Sequence, residues 1–301
     1  MNKYIRYLTN RASWFKAFAT LGFFDSMPDE EYLRRRYKLI FRKELNLDDP
    51  KTYNEKMQWL KLYDRKPEYT KMVDKYEAKK YVADCIGEEY IIPTLGVWDS
   101  FDDIDFDSLP NQFVLKCTHD SGGQVICKDK SKLDKERARK KIEKALKCNF
   151  YLISREWPYK DVPRRIIAEQ YMEDAETCEL RDYKYFCFGG EAKLLFIASE
   201  RQSADSETKF DFFDMEFNHL DFRNGHPNAE QLPAKPQHFE EMRMLAEKLS
   251  EGIPHLRVDF YEVNGKVYFG ELTFYHWSGM KPFDPPEWDE KLGSYIELPE
   301  K

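Results

Sequence analysis

The sequence predicts an α+β chain, in which a helical first part leads into short antiparallel strand pairs and a closing hairpin. Three observations carry this prediction. Apolar residues recur at helical spacing through residues 1–80, with Ile5, Leu8, Trp14, Phe15, Phe18 and Leu21 forming a first stripe. The middle of the chain alternates short runs of Val, Ile, Phe and Tyr with Gly-, Asn- and Asp-containing breaks, as strand pairs do. The stretch Leu256 to Gly279, LRVDFYEVNGKVYFGELTFYHWSG, reads as two strands about an Asn264-Gly265 turn.

Composition narrows the class. The chain has 301 residues, 42% hydrophobic and 16% aromatic, which is ample for a packed core and excludes a disordered chain. A net charge of −7 argues against a general nucleic-acid binder. The six cysteines (Cys85, Cys117, Cys127, Cys148, Cys178, Cys187) form no CxxC pair, so reduced thiols and a cytoplasmic location are expected. No signal peptide is read. The apolar run Trp14 to Phe24 contains Lys16 and is too short to span a bilayer. An aromatic, basic N-terminal region is compatible with peripheral membrane association, but acids mixed in throughout weigh against it.

In chain order, a helix is expected to start at Asp25 or Asp29 and run through EEYLRRRYKLIFRKEL, with Arg34, Arg35 and Arg36 on a solvated face. Thr52 with Glu55 three residues on predicts a capping box for TYNEKMQWLKLYDR. Asp74 to Ala83 reads as a short helix, Tyr90 to Ile92 as a strand, and Pro93 to Gly96 as a turn. The acidic stretch 100–110 lacks the glycine and terminal glutamate of a calcium loop and reads as a linker.

Phe113 to Lys116 and Gln124 to Lys128 are strands flanking Cys117-Thr118-His119-Asp120-Ser121-Gly122-Gly123. Such a glycine-containing loop lets backbone N–H groups approach phosphates, and a lysine at the strand end adds charge. A plain hairpin fits these residues equally well. Lys130 to Lys147 reads as a charged helix and Arg164 to Met172 as a strand. Leu180 to Phe188 and Ala192 to Ser199 form a strand pair with Lys184 placed at a cost inside it. Gln202 to Lys209 reads as a loop, Phe210 to Leu220 as a strand pair, and Gln237 to Ser250 as a helix.

The last hairpin carries Asp259 and Glu271. With a two-residue loop of Asn264 and Gly265, Val263 pairs with Lys266, Asp259 pairs with Gly270, and Glu271 faces away. With a three-residue loop ending in Gly265, the acids share a face and Arg257 lies opposite Glu271. A shared metal needs one face, so a G1-bulge turn is expected.

Taken jointly, these pieces resemble the ATP-grasp fold, and more narrowly the TupA-like ATP-grasp proteins, named for teichuronopeptide biosynthesis. The resemblance runs from about Tyr37 through KYEAKKYV, IGEEYIIP, DSFDDIDFDSLPNQFVLKC, REWPY, RIIAEQYMED, DYKYFCF, RVDFYEVNGKVYFGELTFY and EWDEKLG. It implies two α+β subdomains gripping ATP, behind a mostly helical region over 1–89. The lid subdomain would cover 90–165 and the metal-bearing one 166–301. It implies that Lys116 and Lys184 contact the phosphates and that His119, Ser121, Gly122 and Gly123 close over them. Glu169, Gln170, Tyr171 and Met172 would form the hinge beside the adenine, and Glu173 or Asp174 would take the ribose. Asp259 and Glu271, with Thr273, would bind Mg2+, and Arg257 would stabilise the transferring group.

Three departures stand out. Glu271-Leu272-Thr273 replaces the superfamily's Glu-x-Asn, His276-Trp277 stands where relatives commonly have Pro-Gly, and Thr118 stands where Asn is frequent. The reaction implied is ATP-dependent ligation, in which a carboxylate becomes an acyl phosphate and an amine captures it, in a cell-surface polysaccharide or glycopeptide pathway. Three other readings stand beside it. One is a sugar or glycan kinase. Another is a catalytically silent nucleotide-binding partner, suggested by Thr273 and His276-Trp277. The last is a glycosyltransferase using Asp103-Ile104-Asp105.

Overall fold

The computed structural model describes residues 11–120, 122–175, 180–199 and 207–301. Five helices come first: α1 (Arg11–Thr20), α2 (Asp29–Phe41), α3 (Tyr53–Tyr63), α4 (Glu68–Val73) and α5 (Glu77–Ile86). The expected capping box starts α3: the Thr52 hydroxyl accepts from Glu55 N at 3.2 Å, and the Glu55 carboxylate accepts from Thr52 N at 3.1 Å. Asp29 caps nothing. It binds Arg65 (2.7 Å), Arg155 (3.2 Å) and the Tyr151 hydroxyl, tying the helices together.

The first sheet has the order β1-β4-β2-β3, from β1 (Thr94–Trp98), β2 (Phe113–Cys117), β3 (Val125–Cys127) and β4 (Ile166–Gln170). Helix α6 (Lys135–Lys147) packs Ala138, Ile142 and Ala145 against Phe113, Leu115 and Cys117, which gives this sheet its own core. The strand expected at Tyr90 to Ile92 is instead a 3-10 turn (Glu88–Tyr90), and the residues read as a turn form β1. Pro93 has no N–H to give to a ladder, so the strand begins after it, while its carbonyl accepts from Gln170 N. Because β4 completes this sheet, the sheet extends past the expected boundary at 165 to Gln170.

After the short α7 (Phe150–Ser154) comes a second, antiparallel sheet of order β10-β9-β5-β6-β7-β8. Its strands are β5 (Asp182–Phe188), β6 (Glu191–Ser199), β7 (Lys209–Asp214), β8 (His219–Leu220), β9 (Leu256–Val263) and β10 (Lys266–Thr273). Every residue of β5 is buried, as its aromatic run predicts for a central strand. Helix α8 (Phe239–Leu249) turns Phe239, Met242, Ala246 and Leu249 onto the sheet. Helices α1 to α5 and the terminal α9 (Glu287–Ser294) belong to the same apolar core as this sheet. Of the expected loop Gln202 to Lys209, residues 202–206 lie outside the described residues, and Lys209 opens β7.

The G1-bulge turn is not what the hairpin uses. Val263 pairs with Lys266, so the loop is Asn264-Gly265, with φ of 51° and 72°, the two positive values of a type I′ turn. The extra residue lies further along, at Gly270, where the register shifts between Phe269 and Glu271. Beyond that bulge Glu271 pairs directly with Asp259, and Arg257 lies opposite Thr273, not Glu271. The acids therefore share a face by a different device. A side chain at Gly270 would begin 3.0 Å from the Asp259 carbonyl, so the bulge favours the residue without one.

Candidate nucleotide and metal site

Cross-strand pairing builds the centre of the site. Lys184 pairs with Asp259, and Asp259 with Glu271, giving one row of charged groups across β5, β9 and β10. Arg257 and Thr273 occupy the next row on the same face. The Arg257 guanidinium forks onto Asp259, with both bonds at 2.7 Å, reaches Glu271 at 3.0 Å, and meets His276 Nδ1 at 2.8 Å. The Lys184 ammonium lies between Asp259 and Asp182, 3.0 Å from the latter.

Electrostatics follow from burial and these partners. Burial pushes the Lys184 ammonium down from its ordinary pKa, and the Asp259 carboxylate only partly offsets this. Burial also opposes the charge on Arg257, but Asp259 and Glu271 together outweigh it and the guanidinium is raised. Burial alone would raise Glu271, yet Lys184 and then Arg257 hold its carboxyl at about 2. The Glu271 side chain is nevertheless 47% exposed, so water screens these interactions. His276 is kept neutral: burial, then Arg257, lower it far below its ordinary value.

A cleft lies in front of this row, with walls from both sheets. Lys184, Glu271 and Gly270 line one side, Lys116, Glu169 and Gly122 the other, and Lys75 and Lys79 come from the helical region. The cleft continues outward past Lys116 and Glu169 to Gln170, Tyr171 and Met172, over Val114, Ile126 and Leu180. Asp259 is fully buried behind Lys184 and Arg257, which engage both its oxygens.

The predicted residues divide. Lys116 and Lys184 both line the cleft. Glu169 is not merely hinge backbone. Its buried carboxylate is held between Lys116 and Lys79, the latter at 2.8 Å. Burial would raise this carboxyl, but Lys116 and Lys79 bring it to about 2. Glu169 and Gln170 belong to β4, so Tyr171 and Met172 are the ones beyond the strand, with no backbone partner among the described residues. Glu173 engages Lys128 at 2.6 Å, and Asp174 accepts from Asn264 N at 2.9 Å, capping the hairpin turn.

In the loop, Gly122 has a φ of 94° and open space beside it, facing the cleft. Gly123 has another role, since a Cβ there would lie 2.6 Å from that of Ala145. His119 is buried, lines neither part of the cleft, and its ring nitrogens have no hydrogen-bond partner among the described residues. Ser121 lies outside the described residues. Asp103 and Asp105 only bind local hydroxyl and N–H groups of their own loop.

Sequence reasoning missed Lys75, Lys79 and Asp182. Asp182 was legible, because an Asp-x-Lys pair on a strand puts both side chains on one face. Lys79 stood within KYEAKKYV with nothing local to mark it.

The sequence signature of the family described as "TupA-like ATPgrasp" matches residues 55–297. The chain belongs to this family. No curated protein matches the sequence significantly. Among solved structures, the D-alanine–D-alanine ligase of Bacillus anthracis complexed with ATP is similar at 15% identity and a TM-score of 0.39, covering 67% of this chain and 53% of that one. The corresponding ligase of Helicobacter pylori is similar at 13% identity and a TM-score of 0.41, covering 81% and 69%. The ATP-grasp ligase PsnB, complexed with minimal precursor, Mg and ADP, is similar at 8% identity and a TM-score of 0.39, covering 73% and 57%. The chain thus spans about half to two thirds of these proteins' lengths.

Oxygen donors suit Mg2+, and the row supplies two carboxylates balanced by Lys184 and Arg257. No group of three or more metal-type side chains gathers among the described residues.

Proposed function

We propose that this chain is an ATP- and Mg2+-dependent ligase that activates a carboxylate as an acyl phosphate and joins it to an amine. The observation that carries the reading is the Lys184–Asp259–Glu271 row at the back of a cleft whose front wall presents Lys116. Tyr171 and Met172 would border the adenine, and Lys116 and Lys184 would take the phosphates. Asp259 and Glu271 would hold the ion, which neutralises developing phosphate charge when bound. Lys184 now occupies a cation's position on Asp259. Turning to the phosphates would leave that carboxylate with Arg257 as its one remaining cation. Arg257, oriented by Asp259 and His276, would stabilise charge on the transferring group.

The family's name points to cell-surface polysaccharide or glycopeptide synthesis, with a uronic acid as one candidate carboxylate and an amino acid as the amine. The test is ADP release with pools of uronic acids, nucleotide sugars and amino acids, run with hydroxylamine to trap the acyl phosphate. Turnover should require Mg2+ and a carboxylate, and should fall at least ~100-fold in Asp259→Asn or Glu271→Gln. Turnover independent of any carboxylate, with a stable phosphorylated sugar, would instead make the protein a kinase.

A further inference from the structure

A second surface lies apart from the cleft. Helix α1 turns Phe15 and Ala19 into the core, while its outer side carries Trp14 and Phe18 beside Arg11 and Lys16. Here Trp14, Phe18, Leu21 and Phe23 are exposed, Leu21 and Phe23 at 72% and 67%. The aromatics are contiguous, with ring centroids 6.1 Å apart for Trp14 and Phe18 and 5.2 Å for Phe18 and Phe23. Beside them an apolar groove is floored by Phe15, Phe24 and Leu39. Its other lining residues are all cationic: Arg11, Arg35, Lys38 and Arg42. Arg35 and Lys38 pair with Glu31 and Glu44, while Arg11 and Arg42 form no ion pair among the described residues.

The sequence agrees once it is read locally. Acids are not mixed in throughout, because the first is Asp25, and residues 1–24 carry Lys3, Arg6, Arg11 and Lys16 in a chain of net charge −7. Exposed aromatic and aliphatic side chains bordered by cations, two of them without an ion pair among the described residues, match the boundary between anionic headgroups and acyl chains. A second copy of this chain fits less well, since a two-fold contact would press the same cations against one another. Nucleic acid would leave Leu21 and Phe23 unused.

We propose that this face docks the protein on a bilayer bearing anionic phospholipids, with Trp14, Phe18, Leu21 and Phe23 entering the interface and Arg11 and Arg42 meeting headgroups. The test is co-sedimentation of the full chain with phosphatidylcholine vesicles, with and without phosphatidylglycerol, at low and high salt. Binding should require phosphatidylglycerol and weaken with salt. Each basic residue is worth about fivefold in partitioning, so Arg11→Glu with Arg42→Glu should cost at least about 25-fold. Leu21→Glu with Phe23→Glu should abolish binding. Both variants should keep the wild-type melting temperature and ATP turnover. Equal binding to pure phosphatidylcholine, no binding to either vesicle, or a soluble dimer dissolved by the Leu21 and Phe23 changes would each overturn the proposal.

Discussion

Replacing Glu169 by Gln tests the ion triad at the front of the cleft. The carboxylate is 7% exposed, with Lys79 at 2.8 Å on one oxygen and Lys116 on the other. A fall from an ordinary value of 4.5 to about 2 corresponds to about 3 kcal/mol of preference for the ionised form in the folded chain. The folded value is depressed, so this stabilisation is present in full above 4.5 and is lost as pH falls toward 2. Glu169→Gln keeps the shape and removes the charge, leaving two lysines without their counter-ion. At pH 7 it should destabilise the protein by about 3 kcal/mol, or roughly 5–10 °C in melting temperature. The deficit should shrink as pH drops below about 4.5, where the glutamate of the unfolded chain takes up a proton while the folded one, held at about 2, stays ionised. Urea denaturation followed by tryptophan fluorescence at several pH values measures both. A variant within about 0.5 kcal/mol of wild type at pH 7, or a deficit that does not change between pH 7 and pH 3, would refute the reasoning.

Lys116→Ala should weaken ATP binding about tenfold or more by calorimetry, in a chain that still folds because Lys79 continues to hold Glu169. His255 is buried with its Nδ1 donating to the Phe274 carbonyl at 2.8 Å, and burial holds it at about 4. An unfolded histidine binds its proton near 6.5, so this site withdraws stability as pH falls from 6.5 to 4, and His255→Gln should flatten that part of the stability profile. Thr273→Asn restores an amide carbonyl one row from the acids, and the Mg2+ concentration for half-maximal ADP release should fall severalfold. An unchanged value would remove Thr273 from the donor set.

Much of the fold was legible because local rules and tertiary packing agree. The Thr52 box, the Asn264-Gly265 turn and the aromatic run of β5 each form what their residues favour. That the acids share a face was anticipated, but their direct pairing was not, and the device that brings them together was misplaced. One extra residue can be taken up in a turn or in a strand, and sequence alone does not distinguish the two. Only packing against Asp259 and Tyr261 reveals Gly270 as the bulge. The strand at Thr94 was hidden behind Pro93, whose signal for a turn is strong and local. The contact of Lys79 with Glu169 joins residues ninety positions apart, and no periodicity reports such a pair. The first acid at Asp25 was there to be read and was averaged away by whole-chain charge.

The Lys79–Glu169 contact also joins two separately packed masses. Lys79 stands on α5, whose Ala78 and Val82 are rooted in the large core, and Glu169 stands on β4, whose Ile166 and Ala168 are rooted in the small one. Arg165 repeats the connection nearby, reaching Asp74 at 2.8 Å and Glu77 at 3.0 Å. A polyphosphate entering between Lys79 and Lys116 would compete for the same ammonium groups that clasp the halves together. Loading the cleft and loosening its jaw would then be a single electrostatic exchange.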